Sequence, residues 1–237
     1  INNISIPDSE IEFFISKFKA DIEKTEATFF ETTTAMAFWY FKKEKVDIAI
    51  METGLGGRLD SVSVCNPQVV VITPVSLDHM EILGESLAEI AKEKAGVMKK
   101  GVPCISAHQP GDVKKVLLAE AKKRSAPFFY MGQKNGCPYK LNIPGELQKS
   151  NALLAIYALK HLRGFNIRES AIEAGLKTVH WYGRNQVIQE KPLVVFDVGH
   201  NEEGIKGFLN YFQSLKIQGK TILILALQVN KRIQNLV

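Results

Sequence analysis

An acid and an imidazole stand where an α/β protein does its chemistry. Glu52 follows an apolar run, Val46-Asp-Ile-Ala-Ile-Met51, and opens a glycine-rich turn, Gly54-Leu-Gly-Gly57. His79 stands beside Asp78, shortly after a second apolar run, Val69-Val-Val-Ile-Thr73. Short apolar, β-branched runs bounded by glycine and proline read as buried parallel strands. Polar residues at the ends of such strands fall on the crevice where open α/β sheets bind ligands. Glu52 and His79 are therefore expected at one edge of one sheet. Further along, a helix-like segment from Ser86 carries Glu93-Lys94-Ala95-Gly96, and a strand-like run, Leu193-Val-Val-Phe196, ends on Asp197-Val-Gly-His-Asn201.

The elements that must position these groups follow from periodicity. Residues 1–6 read as a strand or its end, and Pro7-Asp8-Ser9 as a helix start. Ile11, Phe14, Ile15 and Phe18 recur at helical spacing, which predicts an amphipathic helix to about Ile22. Residues 28–41 form a second helix, apolar nearly all round and so expected to be buried. Strands are predicted over 46–51, 68–73, 102–106, 127–131, 193–196 and 221–226. Ser86-Leu-Ala-Glu89 has the capping-box form and starts a helix carrying Ile90 and Lys94. Residues 112–124 make a helix with Val113, Val116, Leu117 and Ala121 inward. Further helices are predicted over 148–162 and 168–177, with Gly183-Arg184 in a loop, and another from Glu202. The alternation predicts an α/β fold, a largely parallel sheet with helices on both faces. A domain boundary is expected near Glu190, giving residues 1–190 and the start of a second α/β domain over 191–237.

Composition narrows the class. The chain has 237 residues, 46% hydrophobic and 23% charged, ordinary for a soluble domain. No apolar run approaches the roughly 20 residues needed to span a bilayer. The three cysteines, Cys65, Cys104 and Cys137, lack CxxC spacing and suit reduced cytoplasmic thiols. A net charge of +5 and pI near 9.0 fit an anionic ligand such as a nucleotide or a polycarboxylate. The lysines are dispersed at element ends, as on a solvated face, so no nucleic-acid or membrane partner is expected.

The chain resembles the bifunctional dihydrofolate synthase/folylpolyglutamate synthase family, relatives of the Mur ligases. The resemblance rests on Thr28-Phe-Phe-Glu31, Glu52-Thr-Gly-Leu-Gly-Gly-Arg-Leu-Asp60, Leu77-Asp-His79, Leu83-Gly84 and Ile90-Ala-Lys-Glu-Lys-Ala-Gly96. It continues through Pro144-Gly145 with Gln148 and Asn151, Trp181-Tyr-Gly-Arg184 and Asp197-Val-Gly-His-Asn201. These run in one order over almost the whole chain. The implied fold is a Mur-ligase-like central ATPase domain followed by the start of a Rossmann-like glutamate-ligase domain. The implied reaction joins L-glutamate to dihydropteroate, or to the γ-carboxylate of folates, through an acyl phosphate made from ATP.

Such chemistry calls for cations around the transferred phosphoryl group. Magnesium, one ion or two, takes carboxylate, water and phosphate oxygens. Glu52 is the natural ligand, although a carboxylate there also suits capping of the glycine turn. His79 is a less usual ligand for a hard cation and reads equally well as structural; the resemblance makes it a ligand. The resemblance also implies that Lys94 is carbamylated, becoming an anion that binds metal. That requires a desolvated lysine, whereas the alternative is a helix lysine paired to Glu93 or Glu89. Glu52, His79 and Lys94 are thus the implied catalytic and metal set.

For ATP, the resemblance points to Asn151, Arg184, Asp197 and His200. An arginine can grip phosphate bidentately, and a strand-end aspartate can hold ribose hydroxyls or simply cap the next helix. For the pterin end it points to Thr28, Phe29, Phe30 and Glu31 with Leu59, Asp60 and Ser61. Phe30 would stack on the ring and Asp60 would accept its N–H groups; Phe29 and Phe30 read equally as core residues. The chain departs from the family in four ways, one being a short segment between Lys94 and Pro144. The phosphate loop, G-x-x-G-K-[ST], belongs ahead of Ile1 and is not in this sequence. Ser61-Val62-Ser63 replaces the usual A-T-N. Gln228-Val-Asn-Lys231 stands near the usual K-D, with most of the following domain missing. Two other readings remain: a Mur-type ligase of cell-wall precursors, and a non-catalytic binding fragment. A cytoplasmic monomer is expected.

Overall fold

The computed structural model describes residues 1–132 and 136–227. The chain divides into two compact units, Ile1–Asn66 and Pro67–Val237.

In the first unit, α1 (Asp8–Thr25) begins after Pro7, whose φ of −64° is set by its ring, and carries Asp8 and Glu10 in its first turn. It ends where Glu26 turns left-handed and Ala27 N–H reaches back to the Ile22 carbonyl at 3.2 Å. Residues 1–6, expected as a strand, form a turn and irregular backbone. In α2 (Phe29–Lys43) Thr28 is the N-cap, and both halves of a capping box with Glu31 are made. The two helices meet through aromatics: the Phe14 ring lies 4.8 Å from Phe18 and 5.5 Å from Trp39. The expectation that α2 is buried all round fails. Thr34 is its one buried residue among those described, and its hydroxyl accepts from Ser61 of the turn that follows the glycine loop. Residues 46–51 also form no strand, and Ile50 is 91% exposed. Strand hydrogen bonds need a neighbouring strand, and none is paired with this run among the described residues.

The second unit holds the predicted parallel sheet. β1 (Val70–Ile72), β2 (Cys104–Ser106) and β3 (Phe128–Tyr130) lie in that order, with Val70 opposite Cys104 and Cys104 opposite Phe128. Crossovers run through α3 (Met80–Leu83) and α4 (Leu87–Lys94) after β1, and through α5 (Gly111–Lys123) after β2. All of β2 is buried; since successive side chains alternate faces, both faces of the sheet are covered there. One face packs Ile105 with Ala107, Met131 and Leu154 of α6 (Glu146–Leu159). Elsewhere α4 packs on α5, burying Ile90, Val113 and Leu117 completely. Val116, expected inward, is only half-buried, while Glu120 takes an inward place.

After α7 (Glu169–Thr178) comes a hairpin that periodicity does not foresee. β4 (Gln186–Glu190) pairs antiparallel with β5 (Leu193–Phe196), with a register shift between Val187 and Gln189. Then α8 (Glu202–Ser214) begins at its N-cap Asn201, whose side chain accepts from Gly204 N–H. Residues 221–226, expected as a strand, have irregular and exposed backbone without a pairing partner among the described residues. Gln228-Val-Asn-Lys231 lies outside the described residues.

Candidate active site

In the first unit the glycine turn is organised by Asp60. Its Oδ2 accepts from Gly54 N–H at 2.8 Å and Leu55 N–H at 2.9 Å, and its Oδ1 from Val62 N–H at 2.9 Å. The carboxylate read as a pterin acceptor therefore first holds its own loop together. Phe30 lies over Gly54 so closely that a Cβ there would sit 2.7 Å from the ring, which explains glycine at that position. Neither phenylalanine is core: Phe30 is partly exposed and Phe29 is 86% exposed. Thr28 donates to Glu31 from both its N–H (2.8 Å) and its hydroxyl (2.7 Å). The bond from the Thr28 backbone, then that from its hydroxyl, holds the Glu31 carboxyl below its ordinary range. Leu59 is exposed, and Ser61 Oγ donates to Thr34 Oγ1 at 3.1 Å. Glu52 is exposed, and no hydrogen bond or ion pair engages its carboxylate among the described residues.

In the second unit, the carboxyl ends of the three parallel strands are tied by one residue, Gln109, through its buried amide for β1 and β2 and through its backbone N–H for β3. Its Oε1 accepts from Val75 N–H at 2.9 Å, and its Nε2 donates to the Thr73 carbonyl at 2.9 Å and to Ser106 Oγ at 3.3 Å. Tyr130 Oη, from the end of β3, accepts from Gln109 N–H at 3.1 Å and lies 3.0 Å from His108 Nδ1. This network fixes the segment leading from β1 to Asp78-His79. There the backbone of His79 is left-handed, with φ 50° and ψ 40°, and opens α3. Its N–H donates to Asp78 Oδ1 at 2.9 Å, and its ring, 43% exposed, approaches Asp78 (4.0 Å) and Glu81 (3.9 Å) only loosely.

Asp78 also receives the motif that follows β5. Asn201 Nδ2 donates to Asp78 Oδ2 at 3.2 Å, and His200 Nε2 lies 3.5 Å from the same oxygen. Two motifs 123 residues apart, Leu77-Asp78-His79 and Asp197–Asn201, are thereby brought together. The sequence reading singled out His79 and His200 but passed over Asp78, which joins them. Asp197 accepts from Asn185 N–H at 2.8 Å and Gly199 N–H at 2.7 Å, while Asn201 caps α8. Arg184 is half-buried with no ion pair among the described residues. Asn151, on α6, has a buried Oδ1 with no partner.

Lys94 ends α4, half-buried, against the buried Ala95 and half-buried Val97. Of its two candidate acids, Glu89 is committed to the Ser86 cap at 2.8 Å and 3.0 Å. Among the described residues no group of three or more His, Cys, Asp or Glu side chains is arranged to hold a metal. The implied set is of different composition, one carboxylate, one imidazole and one lysine. Its members fit in one respect: among the described residues no hydrogen bond or ion pair engages the side chains of Glu52 and Lys94, and the His79 ring has only loose contacts. No helix among the described residues is long and apolar enough to cross a membrane.

Residues 8–136, more than half of the chain, match the Mur ligase middle domain. The chain therefore belongs to the Mur ligase family. Within that family its similarity lies with the folate-glutamate ligases. It is 33% identical, over its whole length, to the dihydrofolate synthase/folylpolyglutamate synthase of Bacillus subtilis. It is 29% identical to the folylpolyglutamate synthase of Lacticaseibacillus casei over 94% of its length. Among solved structures it superposes on the apo form of L. casei FPGS with a TM-score of 0.82 at 28% identity, covering 92% of this chain and 61% of that one. It also superposes on E. coli FolC in complex with DHPP and ADP with a TM-score of 0.83 at 27% identity, covering 92% and 55%. The chain spans 63% and 60% of the two curated relatives.

Proposed function

We propose that this chain is the larger part of an ATP-dependent ligase that adds L-glutamate to dihydropteroate, to the γ-carboxylate of folates, or to both. The observation that carries this reading is the meeting of Asp78-His79 with His200-Asn201, which brings the end of a parallel strand and a nucleotide-type turn into one cluster. The 33% identity with a dihydrofolate synthase/folylpolyglutamate synthase supports the substrate class. We assign residues 1–190 to ATP and folate binding and 191–237 to the start of the glutamate-ligase domain.

In this reading the substrate carboxylate attacks the γ-phosphorus of ATP, ADP leaves, and the resulting acyl phosphate is opened by the glutamate amine with release of phosphate. Glu52, His79 and a carbamylated Lys94 are each proposed as magnesium ligands, and one or two such ions would neutralise charge on the phosphate oxygens. Arg184, free of an internal acid, offers its fork to phosphate. Asp197 keeps lone pairs beyond the two it gives to backbone, enough for ribose hydroxyls, and His200 lies beside it. The open Oδ1 of Asn151 suits a base N–H. At the pterin end, Phe30 presents a ring face over the glycine turn, with Phe29, Leu59 and Ser61 around it. Thr28 and Glu31 fix the start of α2, and Asp60 holds the loop while retaining acceptor capacity. We place the protein in the cytoplasm as a monomer, with small-molecule partners only.

The test is ATP-dependent transfer of labelled glutamate to dihydropteroate or a reduced folate. Glu52→Ala is expected to lower turnover by at least about 100-fold, near 2.7 kcal/mol of lost electrostatic stabilisation. Lys94→Ala should lose activity that short-chain carboxylates partly restore. Absence of glutamate transfer by the wild-type protein, or wild-type turnover in both variants, refutes the assignment.

A further inference from the structure

Asn185 follows Arg184 in the loop before β4 and is 93% buried, with 7% of its surface exposed. Its backbone is left-handed, φ 47°, a conformation asparagine tolerates better than most residues with a Cβ. Its N–H donates to Asp197 Oδ2 at 2.8 Å, and its Nδ2 donates to the Pro144 carbonyl at 2.8 Å. Pro144 immediately precedes Gly145, the N-cap of α6. Gly145 has φ 111°, and a Cβ there would lie 2.6 Å from the same amide nitrogen, so the clasp requires glycine. Because a carbonyl can only accept, the Pro144 contact fixes which end of the amide is nitrogen. Oδ1 is left buried with no partner. Most buried side-chain polar atoms have a partner, so an unpaired one calls for an explanation.

We infer that Asn185 is the positioning residue for the nucleotide end of the site. One side chain and its own N–H lock the start of α6, which carries Asn151, to the end of β5, where Asp197 stands. The loop presenting Arg184 is set by the same two bonds. This rests on the nucleotide reading above. Nothing in the composition of Trp181-Tyr-Gly-Arg-Asn185 marks the last residue as special; its role comes from contacts 41 and 12 residues away.

The test is ADP binding to the full chain by calorimetry, for wild type, Asn185→Gly and Asn185→Asp. Glycine keeps the left-handed backbone and the N–H to Asp197 but removes the bond to Pro144, and aspartate keeps the shape but cannot donate to the Pro144 carbonyl. Both are expected to raise the ADP Kd about tenfold. In the ligation assay KM for ATP should rise by a similar factor while KM for glutamate stays constant, a split that general loosening would not give. The urea midpoint of Asn185→Gly should stay near wild type, because the unpaired oxygen is lost with the bond; this variant decides the matter if aspartate prevents folding. Unchanged ADP affinity, or affinity lost only in step with folded protein, overturns the role of Asn185. A wild-type chain that does not bind ADP overturns the nucleotide reading itself, and this inference with it.

Discussion

Replacing Gln109 with methionine tests whether one buried amide holds the strand ends in place. Methionine fills nearly the same volume, so no cavity contribution is expected. What is lost is polar pairing. Val75 N–H is buried and loses its acceptor, at a cost of about 1–3 kcal/mol. Thr73 lies at the surface, so water recovers its carbonyl and about 0.5–1.5 kcal/mol is lost there. The 3.3 Å contact to Ser106 adds little, since that hydroxyl keeps the Ala107 carbonyl at 3.0 Å. The sum is about 1.5–4.5 kcal/mol, or roughly 3–18 °C in Tm for a unit of this size. Urea denaturation gives the free energy, and amide exchange should show Val75 N–H losing protection before the centre of β2 does. A loss below about 0.5 kcal/mol, the range of neutral surface changes, refutes the reasoning. So would unaltered exchange at Val75.

Asn201 has two jobs, capping α8 and holding Asp78. Asn201→Asp keeps the cap but sets a carboxylate against Asp78, so it should be at least as destabilising at neutral pH as Asn201→Ala; a milder effect, read from urea midpoints, removes the contact from the account. Glu31 and Glu89 titrate below the ordinary carboxylate value, Glu31 chiefly through the Thr28 backbone and Glu89 chiefly through the Ser86 hydroxyl. A carboxyl depressed in the fold adds stability above its unfolded pKa, and that stability is lost as pH falls through the folded value. Acidification should therefore fray the first turns of α2 and α4, and Glu31→Gln and Glu89→Gln should flatten that dependence in amide-exchange profiles. Burial pushes the Cys104 thiol up to about 12. A thiol reagent at pH 8 should thus label Cys65 and Cys137 in the native protein and Cys104 only after unfolding; early labelling of Cys104 would show that β2 opens.

The sequence was most legible where a pattern is local. The Ser86-Glu89 box and the proline start of α1 depend on neighbours a few residues apart, and the strands at 70–72, 104–106 and 128–130 stand out as short apolar runs. It was least legible where the deciding partner is remote. Residues 46–51 and 221–226 have strand composition, yet composition supplies no neighbouring strand to accept their hydrogen bonds. The aromatic content of α2 suggested burial, but burial depends on how many elements surround a helix. Gln109, in a stretch that reads as loop, bonds to groups 34 and 36 residues away. Asp78 and Asn185 were missed for the same reason. Asp60 was legible as important, but its bonds to Gly54, Leu55 and Val62 make it first an organiser of its own turn.

The order of β1, β2 and β3 in the sheet is also their order along the chain. Each new strand can thus be laid beside the one just made, without waiting for residues still to be synthesised, and the later hairpin closes on itself. Such an arrangement suits assembly during translation, since each pairing closes a stretch of 24 or 34 residues rather than one spanning the whole unit, and closure entropy grows with length. Nascent chains halted after Met131 and exposed to protease should already protect the β1–β3 region; digestion as complete as that of an unfolded chain would contradict this.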